Sequence, residues 1–227
     1  MRHARVIAID GPAASGKSST AAAVARALGF AHIDSGSLYR ALTWVSVRAG
    51  VHDPAVILAL AGRLHVGLQS DGDAVRVHID GIDDPESAIR MLEVNAGVSA
   101  IAALPTLRDW VNVKLRAASA DTSGVVIDGR DIGTAVFPNA DLKVFLTATA
   151  AARAERRLRQ RGHMVDPIEL AAETAKLAER DRLDTSRAAA PLRRASDAVV
   201  LDTTALTFEE QVERIVMLAR ANGVGNA

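Results

Sequence analysis

The sequence predicts an α/β fold in which a parallel five-stranded sheet is flanked by helices. Short apolar runs stand beside segments with helical periodicity, which is typical of strands that are buried on both faces of a parallel sheet. The runs are Val6–Ile9, Phe30–Ile33, Val125–Ile127, Leu142–Leu146 and Ala198–Leu201. The chain has 227 residues, of which 49% are hydrophobic, so it is long enough for one such domain with an insertion.

A glycine-rich loop joins the first strand to the first helix. Residues 11–18, GPAASGKS, fit the pattern G-x-x-x-x-G-K-[ST] at every fixed position. In this pattern, backbone N–H groups surround an anion at a helix N-terminus, the lysine bridges the terminal phosphates, and the hydroxyl ligates Mg²⁺. We therefore predict a P-loop NTPase-type fold with Ser18 as a Mg²⁺ ligand. The residues predicted to bind a nucleoside triphosphate, such as ATP, are Gly11, Pro12, Ala13, Ala14, Ser15, Gly16, Lys17, Ser18 and Ser19.

Helix starts are marked by capping residues. Asp53-Pro54 and Asp166-Pro167 each place a capping carboxylate before a proline at the first helical position. Thr207 to Glu210 form a capping box for the last helix, which is predicted to end near Asn222-Gly223.

One segment interrupts the alternation of strands and helices. Leu64–Gln69 and Val75–Ile79 alternate apolar and polar residues and are separated by Ser70-Asp71-Gly72-Asp73, which predicts an antiparallel β-hairpin. We expect the hairpin to belong to a small inserted subdomain. An arginine-rich stretch from Arg153 to Arg161 ends at Gly162 and predicts a helix that leads into a short, mobile lid.

Composition favours some classes of protein over others. With no cysteine there is no disulfide and no thiolate metal site, which favours a cytoplasmic protein. The net charge of zero argues against a general nucleic-acid binder. The first residues, Met1–Arg5, lead directly into a strand, so we expect no signal peptide, and no apolar run has membrane-spanning length.

Three polar clusters are candidates for an acceptor site. Residues 34–40 (DSGSLYR) and 128–134 (DGRDIGT) follow apolar strands, and the carboxyl ends of parallel strands are where open α/β sheets bind ligands. We predict Ser35 as a helix N-cap and expect Asp128 to lie near the Mg²⁺. Residues 180–187 (RDRLDTSR) end a predicted helix. Taken singly, each cluster also has a purely structural interpretation. The first fits a helix cap with a solvated arginine, the second a charged turn, and the third a solvated helix face.

Together these segments give the chain a resemblance to the bacterial cytidylate kinases, which belong to the nucleoside monophosphate kinases. The resemblance runs nearly end to end, and the stretch from Asp128 to Thr134 is its most specific part. The inserted hairpin is also a feature of these kinases. The chain departs from the usual pattern at Ser37, where alanine is common, and at Ser19, which stands between Ser18 and Thr20. The other matching segments are Ile9-Asp10-Gly11-Pro12, Gly16-Lys17-Ser18, Asp34-Ser35-Gly36, Tyr39-Arg40, Val136-Phe137-Pro138, Arg187-Ala188 and Ala190-Pro191-Leu192.

The resemblance implies a role for individual residues. It implies that Arg40, Arg130 and Arg187 hold the phosphate of the acceptor, that Ser99, Arg108 and Asp131 read the cytosine, and that Arg180 and Asp184 contact the sugar. A carboxylate with an arginine also matches the donor and acceptor groups on the edge of cytosine. The implied catalytic residues are Lys17, Arg130, Arg180 and Arg187. The implied CMP-binding residues are Ser35, Arg40, Ser99, Arg108, Arg130, Asp131, Arg180, Asp184 and Arg187.

The implied activity is the Mg²⁺- and ATP-dependent phosphorylation of CMP and dCMP by a monomer that binds neither nucleic acid nor membrane. We expect a single kinase domain over residues 1–227. Its core is formed by residues 1–34, 106–150 and 190–227. The monophosphate-binding region with the β insert covers residues 35–105, and the lid with the helix that follows it covers residues 151–189.

Two other classes of function remain open from the residues alone. The first is another P-loop small-molecule kinase, of the uridylate or shikimate type, against which the Asp131–Arg108 pair would discriminate. The second is a P-loop regulatory or nucleic-acid-binding ATPase. A GTPase switch would carry an Asn-Lys-x-Asp motif, which this sequence lacks, and a nucleic-acid binder would carry excess positive charge.

Overall fold

The computed structural model describes residues 4–72 and 74–225, so Met1–His3 of the predicted N-terminal run and Asp73 of the predicted turn lie outside the described residues. One seven-stranded sheet forms in the order β3-β4-β2-β5-β1-β6-β7. The strands are β1 (Arg5–Asp10), β2 (Ala31–Asp34), β3 (Gly67–Asp71), β4 (Ala74–His78), β5 (Gly124–Gly129), β6 (Leu142–Thr147) and β7 (Val199–Asp202). The helices are α1 (Lys17–Leu28), α2 (Ser35–Ala49), α3 (Pro54–Arg63), α4 (Pro85–Ala88), α5 (Leu92–Ala102), α6 (Pro105–Ala120), α7 (Ala150–Gln160), α8 (Pro167–Ser186) and α9 (Phe208–Ala221).

The five predicted parallel strands are confirmed. β1 lies at the centre and pairs in parallel with β5 and β6, while β2 adds to β5 and β7 adds to β6. Asp10 of β1 pairs with Gly129 of β5, and Asp34 of β2 pairs with Asp128. The carboxyl ends of these three strands therefore meet at one edge of the sheet, where parallel α/β proteins bind ligands.

The predicted hairpin is also present, but it extends the main sheet instead of forming a sheet of its own. β3 and β4 pair antiparallel from Gly67↔His78 to Asp71↔Ala74, and β4 pairs in parallel with β2 at His32↔Ala74 and Ile33↔Val75. This pairing covers the β2 edge, which would otherwise present unpaired N–H and C=O groups.

Side chains of β1 alternate between two apolar cores. Val6 and Ala8 belong to the core formed with helices α2, α3, α5 and α6. Ile7 and Ile9 belong to the core formed with helices α1 and α9. Because successive strand residues point to opposite faces, the sheet separates the two cores and is covered on both sides.

Most predicted helix caps are confirmed. Asp53 accepts hydrogen bonds from the amides of Ala55 and Val56, Asp166 caps α8 in the same way, and Thr207 and Glu210 form the capping box of α9. No single helix among the described residues has both the length and the apolar composition to cross a membrane. Among the same residues, α2 and α3 meet that test when taken together, with a 99° bend between them.

The predicted cap at Ser35 is wrong. Asp34 is the N-cap of α2, because its carboxylate accepts a hydrogen bond from the amide of Gly36 at 2.8 Å. Ser35 is the first residue of the helix, and its hydroxyl donates instead to the carbonyl of Asp128 at 2.7 Å. The Ser35 side chain thus ties the start of α2 to the end of β5.

Candidate active site

A cleft of about 1080 Å³ opens at the carboxyl ends of β1, β2 and β5. It is lined by one stretch of the phosphate loop and by all nine residues expected to bind an acceptor. These lining residues are Ala14, Ser15, Gly16, Lys17, Ser18, Ser19, Ser35, Arg40, Ser99, Arg108, Arg130, Asp131, Arg180, Asp184 and Arg187. The three polar clusters, far apart in the sequence, therefore meet at one site.

The first three residues of the loop, Gly11 to Ala13, do not line the cleft. Gly11 approaches the backbone of β6 so closely that a Cβ atom there would lie 2.0 Å from the carbonyl oxygen of Leu146. The carbonyl of Pro12 accepts a hydrogen bond from Lys17, and both polar backbone groups of Ala13 are bound within the protein. These residues shape the loop, and their direct contact with ATP stays a prediction.

Lys17 is the buried cation of the phosphate loop. Its Nζ donates to the carbonyl of Pro12 at 2.7 Å and to the hydroxyl of Ser15 at 3.3 Å. Burial, together with the positive charge of Arg130, lowers its pKa to about 7, while Asp128 and Asp10 act in the opposite direction. Gly16 precedes it with φ +88°, a conformation that favours glycine, and places Lys17 at the first position of α1.

The hydroxyl oxygen of Ser18 and the carboxylate oxygens of Asp128 lie close together beside the phosphate loop. The hydroxyl of Ser18 donates to Oδ2 of Asp128 at 2.6 Å, and Nε2 of His32 lies 2.9 Å from Oδ1 of the same carboxylate. Burial, and next the charge of Asp128, raise the pKa of Asp34. Within residues 4–72 and 74–225 there is no group of three or more His, Asp or Glu side chains suited to a metal ion.

A buried ion pair lies in the part of the cleft where we expect the acceptor. Nη2 of Arg108 contacts Oδ2 of Asp131, and both side chains are no more than 5% exposed. Nη1 of Arg108 donates to the carbonyl of Ala102 at 2.8 Å, and its guanidinium lies 5.3 Å from the centre of the Tyr39 ring. Nη2 of Arg187 lies 3.5 Å from the other oxygen of Asp131. Asp131 is therefore held between two arginines.

A second set of charges connects β5 with α8. Nε of Arg130 donates to Oδ2 of Asp184 at 2.8 Å, and Arg187 donates to the carbonyl of Ala190 at 2.7 Å. Burial, and next the charge of Arg130, lower the pKa of Arg180 to about 10, so this side chain stays protonated at neutral pH. The buried atoms Nε of Arg180 and Nη2 of Arg187 have no hydrogen-bond partner among the described residues.

Arg40 and Ser99 lie on the two helices that form the outer wall of the cleft. Arg40 of α2 donates from Nη1 to the side-chain oxygen of Asn95 in α5 at 2.6 Å. The amide nitrogen of Asn95 donates to the carbonyls of Arg90 and Met91, which fixes the orientation of the amide. Ser99 lies one turn further along α5 and lines the cleft.

Several cleft residues carry no signal that sequence reasoning used. Asn95 and His32 sit in ordinary helical and strand patterns, so nothing in the sequence distinguishes them. The arginine-rich stretch was predicted as a lid, but no individual arginine in it was assigned to the site. The cleft residues missed in this way include Arg90, Asn95, Arg156, Arg157, Gln160, Arg161, Leu206, Phe208 and Gln211.

Comparisons with known proteins identify the family. A family model described as cytidylate kinase matches residues 7–221. The cytidylate kinase of Streptomyces griseus is 41% identical over 226 residues, covering 98% of this chain and 96% of that protein. The cytidylate kinase of Desulfitobacterium hafniense is 44% identical over 214 residues, covering 93% and 91%.

A solved structure supports the fold. The protein TT1252 from Thermus thermophilus superposes with a TM-score of 0.50 at 17% identity, covering 97% of this chain and 98% of that one. At this level of identity the similarity concerns the fold alone. The family match and the two relatives establish that this chain belongs to the cytidylate kinase family.

Proposed function

We propose that this protein transfers the terminal phosphoryl group of ATP to CMP and dCMP, which yields the corresponding diphosphates. The observation that carries the proposal is a phosphate loop that shares one cleft with a buried Arg108–Asp131 pair and with Arg180, whose buried Nε has no hydrogen-bond partner among the described residues. A buried donor without a partner costs about 1–3 kcal/mol, more when it is charged, so an anionic ligand would offset that cost.

The donor would bind at the start of α1. Backbone amides of Ala14 to Ser18 and the positive end of the helix dipole favour an anion there. Lys17 would turn from the carbonyl of Pro12 to the terminal phosphates of ATP. Those phosphates bring negative charge to a buried ammonium, so they would favour its protonated form.

The oxygens beside the loop fit a magnesium ion. Hydroxyl and carboxylate oxygens are the protein ligands that Mg²⁺ prefers. Substrate phosphates and water usually provide its remaining ligands. We propose that Ser18 would hold the ion and that Asp128, held in turn by His32, would stand beside it. When bound, the ion would neutralise charge on the phosphate oxygens of the donor.

The acceptor phosphate would bind between Arg40, Arg130 and Arg187, and Arg180 would stand near the transferred group. Phosphoryl transfer depends mainly on positioning and on charge stabilisation, and several buried guanidinium groups supply both. The acceptor is already an anionic phosphate, so the reaction needs no strong general base. Closure of the lid arginines over the cleft would exclude water, which competes as an acceptor.

The base and the sugar would be read by the remaining acceptor residues. Asp131 can accept a hydrogen bond from the exocyclic amine of cytosine, and Arg108 and Ser99 can donate to the acceptors of the ring. Asp184 would accept a hydrogen bond from a ribose hydroxyl. The 2′-hydroxyl is not required for the contacts to the phosphate or the base, so we expect dCMP to be a substrate as well.

The function is tested with a coupled assay in which ATP is the donor. The acceptors are CMP, dCMP, UMP, AMP, GMP and shikimate. We expect turnover of CMP and dCMP well above that of every other acceptor. Lys17→Ala should reduce it by about a hundredfold or more, because it removes charge stabilisation of the transferred group. Faster turnover of UMP or shikimate would contradict the proposal, and ATP hydrolysis without any acceptor would favour a regulatory ATPase.

We further propose that the chain acts as a single kinase domain, as a monomer and in the cytoplasm. The shared sheet supports the single domain, and the cysteine-free sequence is suited to a reducing compartment. Light scattering after size-exclusion chromatography would test the oligomeric state, with a mass near 23.9 kDa expected.

A further inference from the structure

A charged pair outside the cleft holds one peptide of the phosphate loop. The amide of Ala13 donates to Oδ1 of Asp181 at 2.9 Å, and the carbonyl of Ala13 accepts from Nη1 of Arg153 at 2.7 Å. Arg153 and Asp181 also pair with each other at 2.7 Å. Nε of Arg153 is fixed by the carbonyl of Ala148 at 3.0 Å. We call these contacts the Ala13 clamp.

Stability alone does not account for this pair. The Arg153 side chain is only 6% exposed and that of Asp181 is 19% exposed, so both charges have lost most of their hydration. Buried ion pairs are often no more stabilising than apolar residues of similar volume. Helices α7 and α8 already pack on the loop through the apolar contacts of Ala13, Ala154 and Leu177.

The residue after the clamp has a strained backbone. Ala14 has φ +57°, in the left-handed region, which a residue with a Cβ atom adopts at a cost of roughly 1–3 kcal/mol. Such a conformation persists only when the surrounding structure fixes it. The clamp fixes both polar groups of the residue immediately before Ala14, and Ala14 itself lines the cleft.

The clamp also connects the two halves of the site. Asp181 lies on α8 between Arg180 and Asp184, and both of these line the acceptor side of the cleft. Helix α8 therefore contacts the phosphate loop through Asp181. Two other residues of the same helix, Arg180 and Asp184, line the side of the cleft where CMP is proposed to bind. Arg153 joins α7, the first helix of the lid, to the same peptide.

We propose that Arg153 and Asp181 are positioning residues that keep the phosphate loop, with Ala14 in its left-handed conformation, in the shape that binds ATP. This inference rests on the proposed use of ATP at this site. Neither side chain lines the cleft, so both act through the backbone of the loop.

The test is the affinity of the full-length Asp181→Ala variant for ATP and, separately, for CMP, measured by calorimetry. ATP is an anion, so the loss of a negative charge near its site would by itself tighten ATP binding. A positioning role predicts the opposite sign. We expect ATP affinity to fall about tenfold and CMP affinity to stay within threefold of the parent. Unchanged or tighter ATP binding would overturn the inference, as would an equal loss for both nucleotides.

Further variants separate positioning from general destabilisation. Leu115→Ala creates a cavity in α6 away from the loop and should lower the stability while leaving the affinity for ATP unchanged. The double variant Ala14→Gly/Asp181→Ala should bind ATP at least three times more tightly than Asp181→Ala alone, because glycine adopts φ +57° without strain. No recovery would overturn the proposed role of the clamp.

A milder variant keeps the test decisive if Asp181→Ala does not fold. Asp181→Asn retains an oxygen for the amide of Ala13 but loses the attraction to Arg153, so we expect ATP affinity to fall about threefold. Equal or tighter ATP binding would again overturn the inference. ATP binding is measured without an acceptor, so a failure of the wild-type chain to phosphorylate CMP would overturn the proposed function and not this result.

Discussion

Asp131 makes the most distinctive interaction of the proposed acceptor site. Its two oxygens face Arg108 and Arg187, and its side chain is 5% exposed. A carboxylate that is fixed between two guanidinium groups can present only a narrow set of free acceptor positions. This constraint suits the recognition of one particular base edge better than it suits the binding of a metal ion.

We predict that Asp131→Asn weakens the binding of CMP and leaves the binding of ATP almost unchanged. An amide has one acceptor oxygen and two donor hydrogens, and it leaves the buried charge of Arg108 without a counterion. The Michaelis constant for CMP should rise by about tenfold or more, which corresponds to at least about 1.4 kcal/mol, while that for ATP should stay within threefold. Initial-rate kinetics with each substrate varied in turn would measure both constants.

The control for this prediction is Asp109→Asn. Asp109 is an exposed carboxylate next to Arg108 on α6, so the same chemical change there should leave both Michaelis constants unaltered. Equal losses for CMP and ATP in Asp131→Asn would assign Asp131 to the metal site or to the fold instead of to the base.

Sequence reasoning located the candidate residues better than it located their contacts. Arg108, Asp131, Asp184 and Arg187 line the cleft as expected. Asp131 follows the end of β5, where the fold fixes the position of a motif residue, whereas Arg108 on α6, Asp184 on α8 and Arg187 after α8 were indicated by the resemblance. Their partners depend on side-chain conformations and on tertiary distances that no local pattern encodes. The amide of Ala13 meets an oxygen of Asp181 across 168 positions of sequence, and nothing near either residue signals that contact.

At the scale of elements, the end of β1 is connected to the turn after β5 through Asp10. Residues Ile132–Val136 form a π-helical turn, and the amides of Ile132 and Gly133 donate to the Asp10 carboxylate at 2.8 and 2.7 Å. Burial raises the pKa of Asp10 to about 6, against the two amide hydrogen bonds that act to lower it.

This shift predicts a pH dependence of stability. Between its ordinary pKa of 3.8 and its folded pKa of about 6, Asp10 binds more protons in the folded state than in the unfolded state. Its contribution to the free energy of unfolding is therefore fully present below pH 3.8 and is lost as the pH rises through about 6. A shift of this size corresponds to roughly 3 kcal/mol.

Asp10→Asn tests that prediction because asparagine does not titrate. Urea unfolding of the parent and the variant at several values between pH 4 and pH 7.5 would give the difference in their free energies of unfolding. We expect this difference to change in favour of the variant as the pH rises, and the other titrating groups cancel in the comparison. Parallel pH profiles for the two proteins would contradict the raised pKa of Asp10.

Sequence patterns predicted the elements more completely than their arrangement. Apolar runs and capping residues gave the five parallel strands and the starts of α3, α8 and α9. The addition of β4 to β2 was not predicted, because the alternation of a hairpin determines how its own strands pair and not which sheet edge it joins. The cap of α2 was misassigned because Asp34 and Ser35 are both favourable capping residues.

At the scale of the whole molecule, the central strands belong to both cores. In β5, Val125 and Ile127 point into the core with α2 and α6, while Val126 points into the core with α1 and α9. A change in either core therefore acts on the same strands. This sharing supports the proposal that the described residues form one cooperative domain.

The two tryptophans allow this cooperativity to be tested. Trp44 and Trp110 both lie at the core that contains α2 and α6, so tryptophan fluorescence reports on that face of the sheet alone. Ile215 lies fully buried in the opposite core, on α9. We predict that Ile215→Ala lowers the free energy of unfolding by about 2–5 kcal/mol, because it removes buried methyl groups and leaves a cavity.

Tryptophan fluorescence and far-ultraviolet circular dichroism should report the same loss of unfolding free energy for Ile215→Ala in urea, with coincident transitions for both probes. Because the sheet is shared, the tryptophans should respond to a cavity on the face that they do not contact. If the dichroism transition moved to lower urea while the fluorescence transition stayed in place, the two faces would unfold independently. The chain would then consist of two units that share a sheet. The proposed active site, which includes Lys17 from one side of the sheet and Arg108 from the other, would lie at their junction.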